Sequence, residues 1–260
     1  MEHVRSLEAF AAPVSVCAVG TFDGVHLGHQ QLIAGVVEDA RTRSAAAIVI
    51  TFFPHPKVVF GRAPALYLTL PDEKAELMRA MGIDAVLSLP FDQTTIATSA
   101  DDFIAQMRRQ FGMNSLWMGQ DFALGHRRQG TPEFLRTRGR EQGFAVSIVA
   151  PVLAAGIPVS STRIREAVLR GDLLEAAECL GRSFSVAGEL IAPRRVRAPA
   201  DHVLPPPGVY AVYACGGLNH ARLRADAPSV IDLATPVEDC ASVVVEFICC
   251  LLYTSPSPRD

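Results

Sequence analysis

Apolar residues along the chain fall into two alternating kinds of run. Positions 14–19, 46–53, 85–89, 115–118 and 144–149 are short and mostly apolar, as strands buried on both faces require. Between them, 72–81, 101–111 and 131–142 carry apolar residues at helical spacing, and so does the stretch from Gln30, with Leu32, Ile33, Val36 and Val37. Asp72 and Thr131 read as helix caps, the latter followed by Pro132. Strands alternating with helices predict an α/β fold with a parallel sheet covered on both faces. Ligands of such sheets bind at the carboxyl ends of the strands, where strand order reverses.

The junction between the first strand and the first helix is the most informative part of the chain. It reads Gly20-Thr-Phe-Asp-Gly-Val-His-Leu-Gly-His29. Free amides and the positive end of the helix dipole favour phosphate at such a place, and glycines at 20, 24 and 28 permit close backbone approach. His26 and His29 add two imidazoles that can share one side of the first helical turn. Taken alone, His-x-x-His is more often a pair of surface histidines than a site. A metal pair lacks a third ligand of matching spacing, and Cys17 belongs to the strand pattern. Neither a Gly-x-Gly-x-x-Gly fingerprint nor a Walker lysine follows.

The decapeptide resembles the His-x-Gly-His signature of the nucleotidylyltransferase superfamily, in the form found in prokaryotic FAD synthetases, many of them fused to riboflavin kinase. Thr51-Phe-Phe-Pro-His-Pro56, Leu68-Thr-Leu-Pro-Asp-Glu-Lys74, Gly119-Gln-Asp-Phe-Ala-Leu-Gly125 and Val159-Ser-Ser-Thr-Arg-Ile-Arg165 are similar to further blocks of that family, in its order. The resemblance covers roughly residues 14 to 188. It implies a Rossmann-like nucleotidylyltransferase domain with a parallel sheet over 1–184. A truncated or degenerate β-barrel-like segment, an incomplete riboflavin kinase, would follow over 185–250. The implied reaction is transfer of AMP from ATP to FMN, giving FAD and pyrophosphate, with Mg²⁺ accompanying ATP. His26, His29 and Arg165 would be catalytic. Gly20, Phe22, Asp23, Gly24, Gly28, Ser161, Thr162 and Arg163 would bind ATP and its phosphates. Phe52, His55, Asp121 and Phe122 would hold FMN or the adenylate, and no metal ligand is assigned. His126, Arg127 and Arg128 leave two readings open, a solvated cationic loop or a phosphate-binding flap.

The kinase part departs from its family. Pro193-Arg-Arg-Val-Arg197 stands where the Gly-x-Pro-Thr-Ala-Asn block is expected, and Glu246 resembles a later structural strand rather than the kinase's catalytic glutamate. Riboflavin kinase activity is therefore expected to be absent. Residues 251–260 follow no fold pattern and resemble adapter read-through, a tail to be left out of fold reasoning. Two other function classes stand beside the leading one: another small-molecule nucleotidylyltransferase of the superfamily, and a non-catalytic flavin- or nucleotide-binding regulator.

Composition changes this picture little. With 260 residues, 49% of them apolar, the chain can support a sizeable core in one large or two small domains. Its net charge of -3 gives no nucleic-acid footprint. Only Lys57 and Lys74 accompany 22 arginines. Six cysteines without paired zinc-like spacing, no signal-like start and no 18-residue apolar stretch lead to the expectation of reduced thiols, a cytoplasmic location and no membrane partner. Oligomeric state is not legible.

Overall fold

The computed structural model describes residues 1–237 and 242–251, so Cys240 and positions 252–260 of the tail lie outside the described residues. The described chain divides into two compact units, Met1–Ala65 with Pro71–Leu153, and Leu66–Leu70 with the residues from Ala154 onward.

In the first unit the apolar runs become one parallel sheet: β1 (Glu2–Val4), β2 (Ser15–Val19), β3 (Ala46–Phe53), β4 (Ala85–Pro90), β5 (Met113–Gly119) and β6 (Ala145–Val149). The order is β1-β4-β3-β2-β5-β6, and every pairing is parallel. Helices α1 (Leu27–Arg43), α3 (Pro71–Ala80), α5 (Ala100–Phe111) and α6 (Pro132–Gln142) connect the strands, with short α2 (Pro56–Val59) and α4 (Gln93–Ala97) in the loops after β3 and β4. β2 is buried along its whole length. Val16 and Ala18 pack with Ile33, Val36 and Met78 of α1 and α3, while Cys17 and Val19 pack with Ile104, Met107 and Phe111 of α5. Period-2 alternation thus serves two cores at once. Chain order reverses at β2, which lies between β3 and β5.

Two details differ from the sequence expectation. α3 begins at Pro71, so Asp72 lies in its first turn rather than at the cap. There Asp72 meets Arg5 and His3 Nδ1, each at 3.1 Å, while His3 Nε2 lies 2.9 Å from Ser88 Oγ. These contacts fasten β1, a three-residue edge strand too short and polar for a periodic signal. Thr131 does cap α6, accepting from the Phe134 amide. The His126–Arg128 segment is an anchored turn: the His126 amide donates to Thr98 O, and Arg128 donates to Asp121 O at 2.9 Å.

The second unit opens with the hairpin β7 (Leu153–Ala154) and β8 (Ile157–Pro158), then α7 (Ser161–Arg170) and α8 (Leu173–Leu180). Strands β9 (Phe184–Ala192), β10 (Arg195–Arg197), β11 (Gly208–Ala214), β12 (Gly217–Arg224), β13 (Ala227–Leu233) and β14 (Ser242–Cys250) form a closed antiparallel barrel in the order β10-β13-β12-β11-β14-β9. The barrel the resemblance implies is present, and it closes despite the missing kinase blocks, because closure needs strand pairing and an alternating interior rather than catalytic loops. Val243, Val245 and Phe247 point inward, and Glu246 between them is exposed. Pro193 and Arg194 turn β9 into β10, and their carbonyls accept from the Val237 and Leu233 amides at 2.7 Å and 2.8 Å. The two compact units part at 153/154. Leu66–Leu70 joins the second because the Tyr67 amide donates to Asp201 O at 2.7 Å and Tyr67 O accepts from the Val203 amide at 2.9 Å.

α1 is tied to β5 by Asp39, whose carboxylate accepts from Ser115 Oγ at 2.6 Å and Trp117 Nε1 at 3.0 Å. Partial burial opposes ionisation of Asp39, but the bonds from Ser115, Trp117 and Arg43 outweigh it and hold the carboxyl below its ordinary value. The Trp117 ring occupies the space above Gly35, where an added Cβ would lie 2.2 Å away. With the Cβ that close to a rigid ring, Gly35→Ala is expected to cost about 2–3 kcal/mol of overpacking, more than the gain in helix propensity of about 1 kcal/mol. Urea unfolding followed by the fluorescence of Trp117, the single tryptophan, checks it. An unchanged or raised midpoint would contradict this packing.

Candidate active site

The site is built where β2 ends. After Val19, the Gly20 amide still donates to Ile50 O at 3.1 Å, and then the chain leaves the sheet. Phe22, Gly24 and Val25 take positive φ values of 49°, 80° and 41°. Such a conformation is ordinary for glycine, uncommon for phenylalanine and strained for a β-branched valine. Two other glycines serve space rather than φ. A Cβ at Gly20 would meet the Phe22 ring at 3.0 Å, and one at Gly28 would meet the His26 ring at 3.3 Å.

The turn delivers His26 to the N-cap of α1, where its own side chain makes no cap hydrogen bond. Gln30 reaches back from the first turn to donate to Val25 O at 2.9 Å. His29, one turn in, stacks on His26 with ring centroids 3.6 Å apart and an interplanar angle of 19°, and its other side faces Phe22 at 5.1 Å. His29 Nδ1 is buried and has no hydrogen-bond partner among the described residues. Desolvation, then the neighbouring His26 and the charge of Lys74, hold the His29 imidazolium well below its ordinary pKa, so the ring is neutral near pH 7.

Behind the turn lies a residue that the motif reading quoted but did not place in the site. Lys74, on α3, is buried, and its Nζ donates to Thr21 O at 2.6 Å and to Thr51 Oγ1 at 3.4 Å. Thr51 Oγ1 in turn donates to Thr21 O at 3.0 Å. Burial pushes the ammonium down to about pKa 8, partly offset by the buried Asp23 carboxylate facing it. A signal was available in the sequence: one of two lysines in an arginine-rich chain.

The carboxyl edge of the sheet collects the other predicted residues of this unit. Phe52 ends in the core against Phe91 and Phe103, with centroids 5.8 Å and 6.2 Å away. His55 caps α2, its Nδ1 accepting from the Lys57 amide at 3.0 Å. Asp121 is exposed just past β5, and Phe122 is partly buried beside it. Both line a cavity of about 600 Å³ with Gln120, Arg128, Arg136 and Ile148.

In the second unit, Ser161, Thr162, Arg163 and Arg165 occupy the first turns of α7, which Ser160 caps by accepting from the Arg163 amide. The guanidinium of Arg163 is engaged inside the unit, with Glu175 at 2.7 Å and with Ala154 O and Ile157 O at 3.1 Å each. The bond to Glu175 raises its pKa further. Arg165 Nε donates to Leu66 O at 2.8 Å, and its side chain is half-buried. No cluster of three or more His, Cys, Asp or Glu that could hold a metal occurs among the described residues. No described helix is long and apolar enough to cross a membrane.

A parallel sheet carrying two stacked imidazoles at a helix start beside its switch point is the arrangement that the His-x-Gly-His resemblance to α/β nucleotidyltransferases implies. The FAD synthetase family model matches residues 10–163, and the chain belongs to that family. It is 33% identical over 232 residues to the bifunctional riboflavin kinase/FMN adenylyltransferase of Escherichia coli K12, covering 83% of this chain and 74% of the relative. The Listeria monocytogenes protein of the same name is 32% identical over 225 residues, covering 82% and 71%. A crystal structure titled macrolide-efflux protein from Streptococcus pneumoniae superimposes with a TM-score of 0.81 over 99% of this chain and 92% of that one, at 22% identity, and shows the fold alone.

Lys74 makes stability depend on pH in a definite direction. Below about pH 8 both folded and unfolded chains hold its proton, and the depressed pKa costs the folded state about 3 kcal/mol. From about pH 8 to 10.5 the unfolded chain binds more protons, so this group's contribution to stability rises with pH. The difference in unfolding free energy between wild type and Lys74→Met is expected to move in favour of wild type across that range. A pH-independent difference would sink the assignment.

Proposed function

We propose that the protein is an FMN adenylyltransferase: it transfers AMP from ATP to FMN and releases pyrophosphate. The observation that carries this reading is the His26–His29 stack at the start of α1, held by a strained turn at the switch point of the sheet. Family membership and the names of the relatives support FMN as acceptor.

An oxygen of the FMN phosphate attacks the α-phosphorus of ATP, and the bond to the bridging oxygen of pyrophosphate breaks. The acceptor already carries an anionic oxygen, so no side-chain nucleophile or general base is needed. The chain's task is to align the reactants and to stabilise charge on the departing pyrophosphate. His26 and His29 donate to α- and β-phosphate oxygens beside the amides of α1. Mg²⁺ would come with ATP as part of the substrate and would screen its phosphate oxygens. In the second unit, the motif resemblance assigns the outer phosphates to Ser161, Thr162 and Arg165. Arg163, engaged with Glu175, is assigned to bracing α7. The cavity beside Asp121 and Phe122 has the volume for a planar heterocycle of one substrate. Riboflavin phosphorylation is not part of the proposed activity, since the block that would bind phosphate and magnesium is replaced by the Pro193–Arg194 turn.

Incubation with FMN and Mg-ATP is expected to yield FAD and pyrophosphate in equal amounts, with CTP a poor donor and riboflavin giving no FMN. His29→Ala should lower kcat by about 10²-fold, the loss of one preorganised donor, with KM for FMN changed by less than about threefold. Unchanged turnover in the variant would remove His29 from the mechanism. Because His29 is neutral when free and meets anionic oxygens when ATP binds, ATP binding near pH 6.5 should take up protons. Calorimetry in buffers of different ionisation enthalpy reads this uptake, which His29→Ala should reduce; equal uptake in the two proteins would assign it elsewhere.

A further inference from the structure

We propose that Gln30 is a positioning residue for adenylyl transfer: its main chain and its side chain together hold the two peptide planes that flank His26, and so set the direction in which the imidazole stack meets the polyphosphate. The reaction in this statement rests on the reading above, and the grip rests on the geometry.

Gln30 donates twice, to successive carbonyls. Its amide N–H bonds His26 O at 2.9 Å, the first step of the helix ladder, and its Nε2 bonds Val25 O at 2.9 Å. Val25 O belongs to the rigid peptide plane before the Cα of His26, and His26 O to the plane after it. Rotation of the first plane against that Cα is the φ of His26 and rotation of the second is its ψ, here -73° and 173°. A residue that holds both planes therefore holds both torsions, and the torsions aim Cβ and the ring. The ring has little other latitude. His29 lies against it with centroids 3.6 Å apart, and a Cβ at Gly28 would come within 3.3 Å of it.

The plane gripped by the side chain is the one under strain. Val25 is β-branched and has a φ of 41°, its N–H donates to Phe22 O at 3.1 Å, and its side chain is buried. Such a conformation persists only where its surroundings over-determine it. The carboxamide of Gln30 adds the restraint at the carbonyl end, where relaxation would pass directly into the backbone of His26.

Position and residue type fit this task. Side chains in the first turn of a helix lean towards its N-terminus, so a residue there can reach the chain that enters the helix. In a capping box the third helical residue reaches back to accept from the N-cap amide. In α1 that position is His29, and the next residue, Gln30, donates to a carbonyl instead. The helix start is thus fixed through its acceptors, and the grip occupies no N–H of residues 26–29. Gln31, of the same type and exposed, is an internal control.

The test compares wild type with Gln30→Met, which keeps the length and loses the donor, with Gln30→Glu, which sets a carboxylate against the Val25 carbonyl, and with Gln31→Met. Gln30→Met is expected to lower kcat by about tenfold or more, with KM for FMN changed by less than about threefold. Gln30→Glu should be at least as slow, and Gln31→Met should stay within about threefold of wild type. A Gln30→Met kcat within about threefold of wild type, or a Gln31→Met as slow as Gln30→Met, overturns the proposal. Imidazole NMR gives a readout that a merely structural role does not move. In Gln30→Met the ring signals of His26 and His29 should shift while those of His3, His55 and His126 stay in place. Unchanged His26 and His29 signals overturn the proposal whatever the rate. If Gln30→Met does not fold, wild type alone decides: the Gln30 side-chain amide protons should exchange about fivefold or more slowly than those of Gln31, and equal exchange overturns the proposal. If wild type makes no FAD, the reading of the reaction fails separately, and the two NMR measurements, which need no turnover, decide for the grip.

Discussion

β2 has no solvent face, and this constraint organises the first unit. Val16 and Ala18 supply one core and Cys17 and Val19 the other, so a slip of one residue would exchange the two sets against helices shaped for the opposite partners. The register against β3 is thereby set, and with it the point at which the strand can end. The ladder extends one residue further, through the Gly20 amide to Ile50 O, before the turn begins. Everything chemical in this unit is measured from that point. The imidazoles stand where they do because six residues after a register-locked strand must reverse direction into a helix.

The charge arrangement at that point differs from an arginine-lined phosphate site. Lys74 and Asp23 face one another behind the turn, and His29 is neutral in the free protein. The cradle therefore presents amide and imidazole donors rather than a standing excess of positive charge. An imidazole between a second imidazole and an ammonium resists protonation until an anion arrives, and then it responds to that anion. On the proposed reading, charge is recruited when ATP binds rather than held in the free protein.

Legibility in the sequence followed the physics of each element. The strands β2 to β6 and the long helices were readable because burial on two faces or one leaves a period. The edge strand β1 was not, since three residues carry no period and their stability comes from His3 and Arg5 reaching Ser88 and Asp72 far along the chain. His26 and His29 were readable as a motif, whereas their face-to-face stack at 3.6 Å is a property of the turn's dihedral angles. Lys74 sat inside a quoted block, yet its partners Thr21 and Thr51 come from two other strand ends, a convergence that only the fold creates. Phe52 shows the converse: the aromatic beside a binding loop turned out to close the core over α5. In the second half, missing kinase motifs suggested damage, but the alternation that closes a barrel is present in the strands.

The five residues Leu66–Leu70 give the chain an unusual arithmetic. They belong by hydrogen bonding to the unit that is completed more than a hundred residues later, through Tyr67 with Asp201 and Val203 and through Leu66 with Arg165. The units are therefore interleaved along the chain rather than placed end to end, and the backbone passes from one to the other three times, at 65/66, 70/71 and 153/154. No single cut separates them into two complete pieces. A ribosome that has made the whole parallel sheet has also made a strip of which two hydrogen-bond partners, Asp201 and Val203, do not yet exist. Completion of the second half is in this sense a structural event for the first.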